Sequence, residues 1–174
     1  MTNEIPIPLN ITPASSKSAS NGRSVIVEID DTDRALIRAL NENGRASQRE
    51  LARELGVALG TVSARLQKLE AAGVIRGYLP DVDPERLGYT LVVVIGLRIS
   101  KGQLLAVQAE VARHPAVYGV YDVTGDWDSL VLARFQTRQT MDAFIKHALA
   151  MPYVERTYTH VVLNTVKEER RVGV

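Results

Sequence analysis

The residues whose types and spacing could do chemistry begin at residues 59–68, Leu-Gly-Thr-Val-Ser-Ala-Arg-Leu-Gln-Lys. On a helix, Val62, Leu66 and Leu69 recur at i, i+4 and i+7 and form the buried side. The opposite side then presents Leu59, Gly60, Thr61, Ser63, Ala64, Arg65, Gln67 and Lys68. Small and polar side chains at the start of a helix admit close approach to base edges, and Arg65 and Lys68 further along suit bases or phosphate oxygens. Thr61 and Gln48 lie near helix N-termini, where hydroxyl, amide and backbone N–H groups suit phosphate. The plain alternative is the solvated face of an ordinary three-helix domain. Catalysis has little to draw on. The three histidines, His114, His147 and His160, show no metal-ligand spacing such as i, i+4. Cysteine is absent, which removes thiol nucleophiles, disulfides and cysteine metal sites, so the chain is read as a non-enzyme with no cofactor and no metal.

The elements that would position these residues are three short amphipathic segments within Asp30 to Gly73. The first has Asp30 as N-cap, Asp33 in its first turn, apolar Leu36, Ile37 and Leu40, and a stop at Asn43-Gly44. The second opens with Ser47-Gln48-Arg49-Glu50, a capping box in which serine and glutamate satisfy each other's backbone N–H groups, buries Leu51 and Leu55, and ends at Gly56. The third runs from Leu59 to Ala72, with Gly73 supplying the left-handed residue that ends it. Only Gly56 to Ala58 separate the last two, so they must cross sharply as a helix-turn-helix, whose second helix enters the DNA major groove. Ser24 to Ile29 is expected to form a short strand paired with Val74 to Tyr78.

Charge sets a limit. Asp31 to Tyr78 carries eight Lys plus Arg against six Asp plus Glu, or +2, while Leu79 to Val174 carries eleven of each. The whole chain, at +1, is not the strongly basic coat of a non-specific nucleic-acid binder, so affinity must come from several reading heads at once. With 174 residues and 45% apolar composition the chain can bury two modest cores. Its longest apolar run, Leu91 to Leu97, is too short to span a bilayer, and a cytoplasmic protein is expected. Residues 1–23 mix proline, serine and asparagine and are read as a disordered leader or a start-site artefact. The helix-turn-helix domain is taken as 24–78, and 79–89, with Pro80, Pro84 and Gly88, as a hinge linker to a second domain over 90–174.

From Thr90 onward the period changes. Strands are expected at Thr90–Ile99, Val117–Val123, Ser129–Phe135 and Val154–Val166, with helices at Leu104–His114 and Thr140–Leu149. With right-handed crossovers, the order βαββαβ puts both helices on one face of an antiparallel sheet, the ferredoxin-like arrangement. The fold class is therefore α+β: a winged-type helix-turn-helix domain followed by a ferredoxin-like sandwich. Leu91–Ile95 and Leu130–Ala133 are apolar without alternation, so both faces of those strands want burial. A second copy of the sheet is the expected cover, and a homodimer would supply the second reading head.

Over roughly Val25 to Val172 the chain resembles the leucine-responsive and asparagine regulator family (Lrp/AsnC, the feast/famine regulators). The matching residues include Ile29-Asp30 with Asp33-Arg34, Asn43-Gly44-Arg45, Glu50-Leu51-Ala52, Gly56, Thr61-Val62, Arg65-Leu66, Leu69-Glu70 and Gly73-Val74-Ile75-Arg76-Gly77-Tyr78. In the second domain they are Thr124-Gly125-Asp126-Trp127-Asp128, Val161-Val162-Leu163 and Val166-Lys167. The sequence departs from the family at Ala58, often a serine N-cap there, and at Leu59 and Gly60. A missing cap costs on the order of 1 kcal/mol.

The resemblance implies a transcription regulator that binds double-stranded DNA, dimerises through the second domain, often assembles to an octamer, and responds to a small molecule, commonly an amino acid. It also implies an effector site at the loop Thr124, Gly125, Asp126, Trp127 and Asp128, at a dimer-to-dimer contact. There Gly125 lets backbone N–H groups approach a carboxylate, and Asp126 or Asp128 can take an α-ammonium group. Alternatively the loop is a β-turn with a solvated carboxylate and a packing tryptophan. Tyr121, Asp122, Tyr158 and His160 are weaker pocket candidates. Two other readings stay open: an architectural DNA-wrapping protein without an effector, and an enzyme similar to the siroheme decarboxylases, which share this two-domain plan.

Overall fold

The computed structural model describes residues 27–169 and 171–174. They belong to two compact units, one running to Tyr78 and taking in Gly173–Val174, the other spanning Leu79–Val172. The leader expected at 1–23 lies outside the described residues.

The first unit has three helices, α1 (Asp31–Glu42), α2 (Gln48–Leu55) and α3 (Leu59–Ala71). Two of them begin on reciprocal caps. Asp30 accepts from the Asp33 N–H at 2.9 Å while the Asp33 carboxylate accepts from the Asp30 N–H at 3.2 Å. Ser47 and Glu50 do the same ahead of α2, at 3.2 and 2.7 Å. Gly56, at φ 67°, turns the chain between α2 and α3 in a left-handed conformation that a Cβ would disfavour. Leu36 from α1, Leu51 from α2, and Val62, Leu66 and Leu69 from α3 close one core, each almost wholly removed from solvent. Replacing any one of these leucines by alanine is expected to cost about 2–5 kcal/mol.

Among the described residues the expected strand pair is not formed. Ser24 to Ile26 lie outside the described residues; Val27–Ile29 and Val74–Tyr78 are not extended in a sheet. The local reason is the end of α3, where the N–H groups of Val74 and Ile75 both turn back to the Leu69 carbonyl, at 2.9 and 3.1 Å. Ile29 and Ile75 then pack against the helical core instead of pairing edges.

The second unit opens with a single 3₁₀ turn, Glu85–Leu87, preceded by Asp83, whose carboxylate accepts from the Glu85 N–H at 2.9 Å. Gln136 donates to the Leu87 carbonyl at 3.0 Å, so this part of the expected hinge is bonded to the sheet domain. The order continues β1 (Leu91–Ile99), α4 (Leu104–Val111), β2 (Val117–Asp122), β3 (Ser129–Phe135), α5 (Arg138–Ala150) and β4 (Val154–Val161). The sheet order is β2-β3-β1-β4 with every pairing antiparallel, the ferredoxin-like topology. Several boundaries differ from expectation. Strand β4 ends at Val161 because the Val162 N–H makes the last bond, to the Val92 carbonyl at 2.9 Å, and β1 begins at Leu91. Helix α5 starts earlier, at Arg138, because Thr137 caps it through the Thr140 N–H at 3.1 Å. Helix α4 stops at Val111, before His114.

Strand β3 alternates strictly between buried and half-buried positions. Val93, Ile95, Leu97, Val131, Ala133 and Phe135 form the face under the helices, where they meet Val107, Val111 and Phe144. Val92, Val94, Leu130 and Leu132 occupy the other face and are only half-buried. The absence of alternation in the sequence thus corresponds to an apolar sheet face that no helix covers among the described residues.

Candidate nucleic-acid interface and ligand loop

Helices α2 and α3, joined by Gly56–Ala58, form the helix-turn-helix. Ala58 stands in extended backbone at the N-cap of α3, and no side chain accepts the first-turn N–H groups there. Of the residues expected to read DNA, Leu59, Gly60 and Ala64 are exposed along one side of α3, Thr61 and Ser63 are half-buried, and Gln48 is exposed at the first position of α2.

Arg65 and Lys68 are already engaged within the unit. The Arg65 guanidinium bonds both Asp30 and Asp33, and Lys68 reaches Asp33 at 2.9 Å. The Asp33 side chain is fully buried, and burial alone would push its carboxyl up. Hydrogen bonds from Arg65, Lys68 and the Asp30 N–H outweigh that and hold it down at about 2. The Arg65 hydrogen bond lowers the Asp30 carboxyl as well, and the Arg65 guanidinium is raised in return, first by Asp30 and then by Asp33. The N-terminal cap of α1 therefore doubles as the seat of α3. Sequence reasoning identified Asp30 and Asp33 as a cap but missed this second role, since nothing in a one-dimensional pattern places Asp33 under Arg65. Among the described residues, Arg45, Arg49 and Arg76 are exposed and make no ion pair with a carboxylate, while Arg53 lies near Glu50 and helps lower its pKa after the Ser47 hydrogen bonds.

The loop between β2 and β3 is anchored to β1 along its second half. The Asp128 N–H donates to the Leu97 carbonyl at 3.0 Å, and the Asp128 carboxylate accepts from the Ile99 N–H at 2.8 Å. The β1–β3 ladder ends at the Leu97–Ser129 pair, so Asp128 satisfies an N–H of β1 that lies beyond the start of β3. Arg98 donates to the Asp126 carbonyl at 3.1 Å and stands 3.6 Å from the Asp128 carboxylate. Trp127 lies flat on Gly96: a Cβ at that position would come within 2.6 Å of the indole. Tyr158 flanks the indole with ring centroids 5.8 Å apart, and the His160 ring packs tilted against Tyr158 at 4.7 Å. Thr124, Gly125 and Asp126 are exposed, with Gly125 at φ 112° and open space around it. Tyr121 and Asp122 are exposed at the end of β2.

The other histidines have structural surroundings. His114 accepts from the Ala116 N–H at 3.2 Å and packs on Phe144 at 4.6 Å; burial, with His147 nearby, lowers its pKa. Among the described residues no group of three His, Asp or Glu side chains could hold a metal ion, and no helix is long and apolar enough to cross a membrane.

The comparisons with known proteins follow the same division. Residues 29–76 match the model for winged helix-turn-helix DNA-binding domains, and residues 92–172 match the Lrp/AsnC ligand binding domain. An uncharacterized HTH-type transcriptional regulator of Pyrococcus furiosus is 42% identical over 84% of this chain and 99% of its own length. The HTH-type transcriptional regulator FL11 of Pyrococcus horikoshii is 34% identical over 85% of this chain and 98% of its own. Among solved structures, E. coli AsnC superposes with a TM-score of 0.77 at 27% identity, covering 82% of this chain and 97% of that one. A Neisseria meningitidis transcriptional regulator in complex with L-Met gives the same score and identity over 83% and 96%. With both domains matched in order and a relative this similar along almost its whole length, the chain belongs to the Lrp/AsnC family of DNA-binding, helix-turn-helix transcriptional regulators.

Proposed function

We propose that this regulator works as a homodimer or a higher assembly of dimers, reading an imperfect inverted repeat and responding to an amino acid at the Thr124–Asp128 loop. The observation that carries the effector reading is the anchoring of that loop. Asp128 and Trp127 are both committed to β1, which fixes the backbone, while Gly125 and the Asp126 carboxylate remain open. A rigid support with one open carboxylate and accessible backbone suits a zwitterion, since pre-organisation lowers the entropy lost on binding. The L-Met complex of the Neisseria relative is in keeping with that chemistry.

Dimerisation follows from the uncovered sheet face. Val92, Val94, Leu130 and Leu132 make a contiguous apolar surface that a second copy of the sheet would bury. The dimer would set two α3 helices in major grooves one helical turn, or a multiple, apart. Leu59, Gly60, Thr61, Ser63 and Ala64 would approach base edges, and Gln48, Arg45, Arg49 and Arg76 the backbone phosphates. The effector acts to the extent that it binds one assembly better than another.

The test is a thermal-shift titration against the twenty amino acids. Ligand at a hundred times its dissociation constant should add about 2.7 kcal/mol of stability. A dose-dependent rise for one chemical class, lost in Asp126→Ala, is the expected result. A flat response to all twenty, together with equal affinity for the protein's own upstream DNA and unrelated DNA at fixed salt, would replace this reading with an architectural DNA-wrapping one.

A further inference from the structure

Arg98 on β1 and Arg156 on β4 are directly opposed across the antiparallel ladder, so both side chains rise from the same sheet face. It is the face that the helices do not cover. Like charges placed opposite each other on a strand pair are destabilising unless an anion lies between or beside them. Among the described residues that compensation is incomplete. Arg98 approaches Asp128 at 3.6 Å, but that carboxylate already accepts the Ile99 N–H at 2.8 Å. Arg156 has no carboxylate partner among the described residues; its guanidinium stands 5.8 Å from the centroid of the Trp127 ring. Glu155, the unpaired residue at the register shift beside it, accepts from the Ser100 hydroxyl at 2.8 Å. Both arginines also touch the Thr124–Asp128 loop, Arg98 through the Asp126 carbonyl and Arg156 through the indole.

We propose that Arg98 and Arg156 form a carboxylate clamp that holds the α-carboxylate of the small-molecule effector against the Trp127 edge of the loop. Guanidinium groups bind carboxylates through paired N–H donors, and the neighbouring indole limits the water that would otherwise screen them. The clamp gives the Asp126 carboxylate the complementary task of meeting an ammonium group. It also offers a coupling route, because an anion that draws on Arg98 competes with the Asp126 carbonyl for the same guanidinium. This inference rests on the reading of the loop as the effector site.

The experiment titrates the purified full chain, as wild type, Arg156→Gln and Arg156→Lys, at constant ionic strength. The probes are the twenty amino acids, the C-terminal amide of any amino acid that raises the melting temperature, and succinate, which has carboxylates and no ammonium. Losing one charge-assisted pair should weaken the amino acid about tenfold or more in Arg156→Gln and less in Arg156→Lys. The amide should bind wild type no better than the free amino acid binds Arg156→Gln. Without ligand, Arg156→Gln should melt no lower than wild type, which separates lost binding from lost folding. Equal amino-acid affinity in wild type and Arg156→Gln overturns the clamp and leaves the loop reading standing. Binding of succinate but of no amino acid, abolished by Arg156→Gln, supports the clamp and overturns the amino-acid reading. Binding of neither overturns both. Sedimentation velocity covers the remaining case: if Arg156→Gln weakens self-association while ligand affinity is unchanged, the arginine serves a carboxylate of a second copy and the clamp is wrong.

Discussion

Asp33→Asn tests whether the seat of the DNA-reading helix is electrostatic. Asp33 is fully buried, receives Arg65 at 2.8 Å and Lys68 at 2.9 Å, and also accepts the Asp30 N–H at 3.2 Å. Its carboxyl lies at about 2 against an ordinary 3.8, a difference of about 1.8 units. At 1.36 kcal/mol per unit this is about 2.4 kcal/mol. Arg65 and Lys68 keep 28% and 49% of their side-chain surface in solvent, so water screens the pairs and about 1–2 kcal/mol is the expected net loss. For a domain this small, that lowers the melting temperature by roughly 5–15 °C. Two signals separate the units. The only tryptophan, Trp127, reports the sheet domain, whereas helicity reports both units. Asp33→Asn should move the helicity transition and leave the tryptophan transition in place. The pH dependence has a definite sign: a depressed carboxyl contributes fully above pH 4 and progressively less as pH falls from about 4 towards 2. The substituted protein should lack that acid limb. Arg65→Ala should lower the same transition, and the double variant should lose less than the sum of the two singles. Strict additivity, or an unchanged helicity transition, would refute the electrostatic seat and return Arg65 to the role of a free DNA contact.

Other consequences are open to direct measurement. Ala58→Ser supplies the missing N-cap of α3 in backbone already extended for it, and should raise the helicity transition by a few degrees, corresponding to about 0.5–1 kcal/mol. Gly96→Ala drives a methyl into the Trp127 ring, so it should cost about 1–3 kcal/mol and shift the tryptophan emission to longer wavelength as the indole leaves its seat. Unchanged emission would mean that the backbone, not the indole, yields. Arg49→Ala should weaken DNA binding about equally across sequences and reduce the slope of log K against log salt by about one, because an exposed arginine without a carboxylate partner is placed for phosphate.

What could be read in the one-dimensional pattern was whatever local chemistry decides. The reciprocal caps at Asp30/Asp33 and Ser47/Glu50, the stop at Gly56 and the 3.6 period of Val62, Leu66 and Leu69 are set by residues within a turn or two of one another, so three helices and a tight turn were legible. The βαββαβ order and the two-sided apolar character of β1 and β3 were legible for the same reason, and the uncovered face followed from them. The end of β4 was not, because a strand stops where its neighbour does, and the limit at Val161 belongs to β1. Nor was the fate of Val74–Tyr78: β-branched composition favoured a strand, but the Leu69 carbonyl captured its first N–H groups. The same distinction governs the site residues. Spacing put Arg65 and Lys68 on the outer face of a helix, yet Asp33, more than thirty residues away, took both. Spacing also made Asp128 a free carboxylate in a turn, whereas the end of the β1–β3 ladder at Leu97–Ser129 made it an acceptor for the Ile99 N–H. A charged side chain's type is written in the chain; whether that charge is spent internally or left for a ligand depends on which distant groups folding brings within 3 Å, and only the tertiary structure decides that.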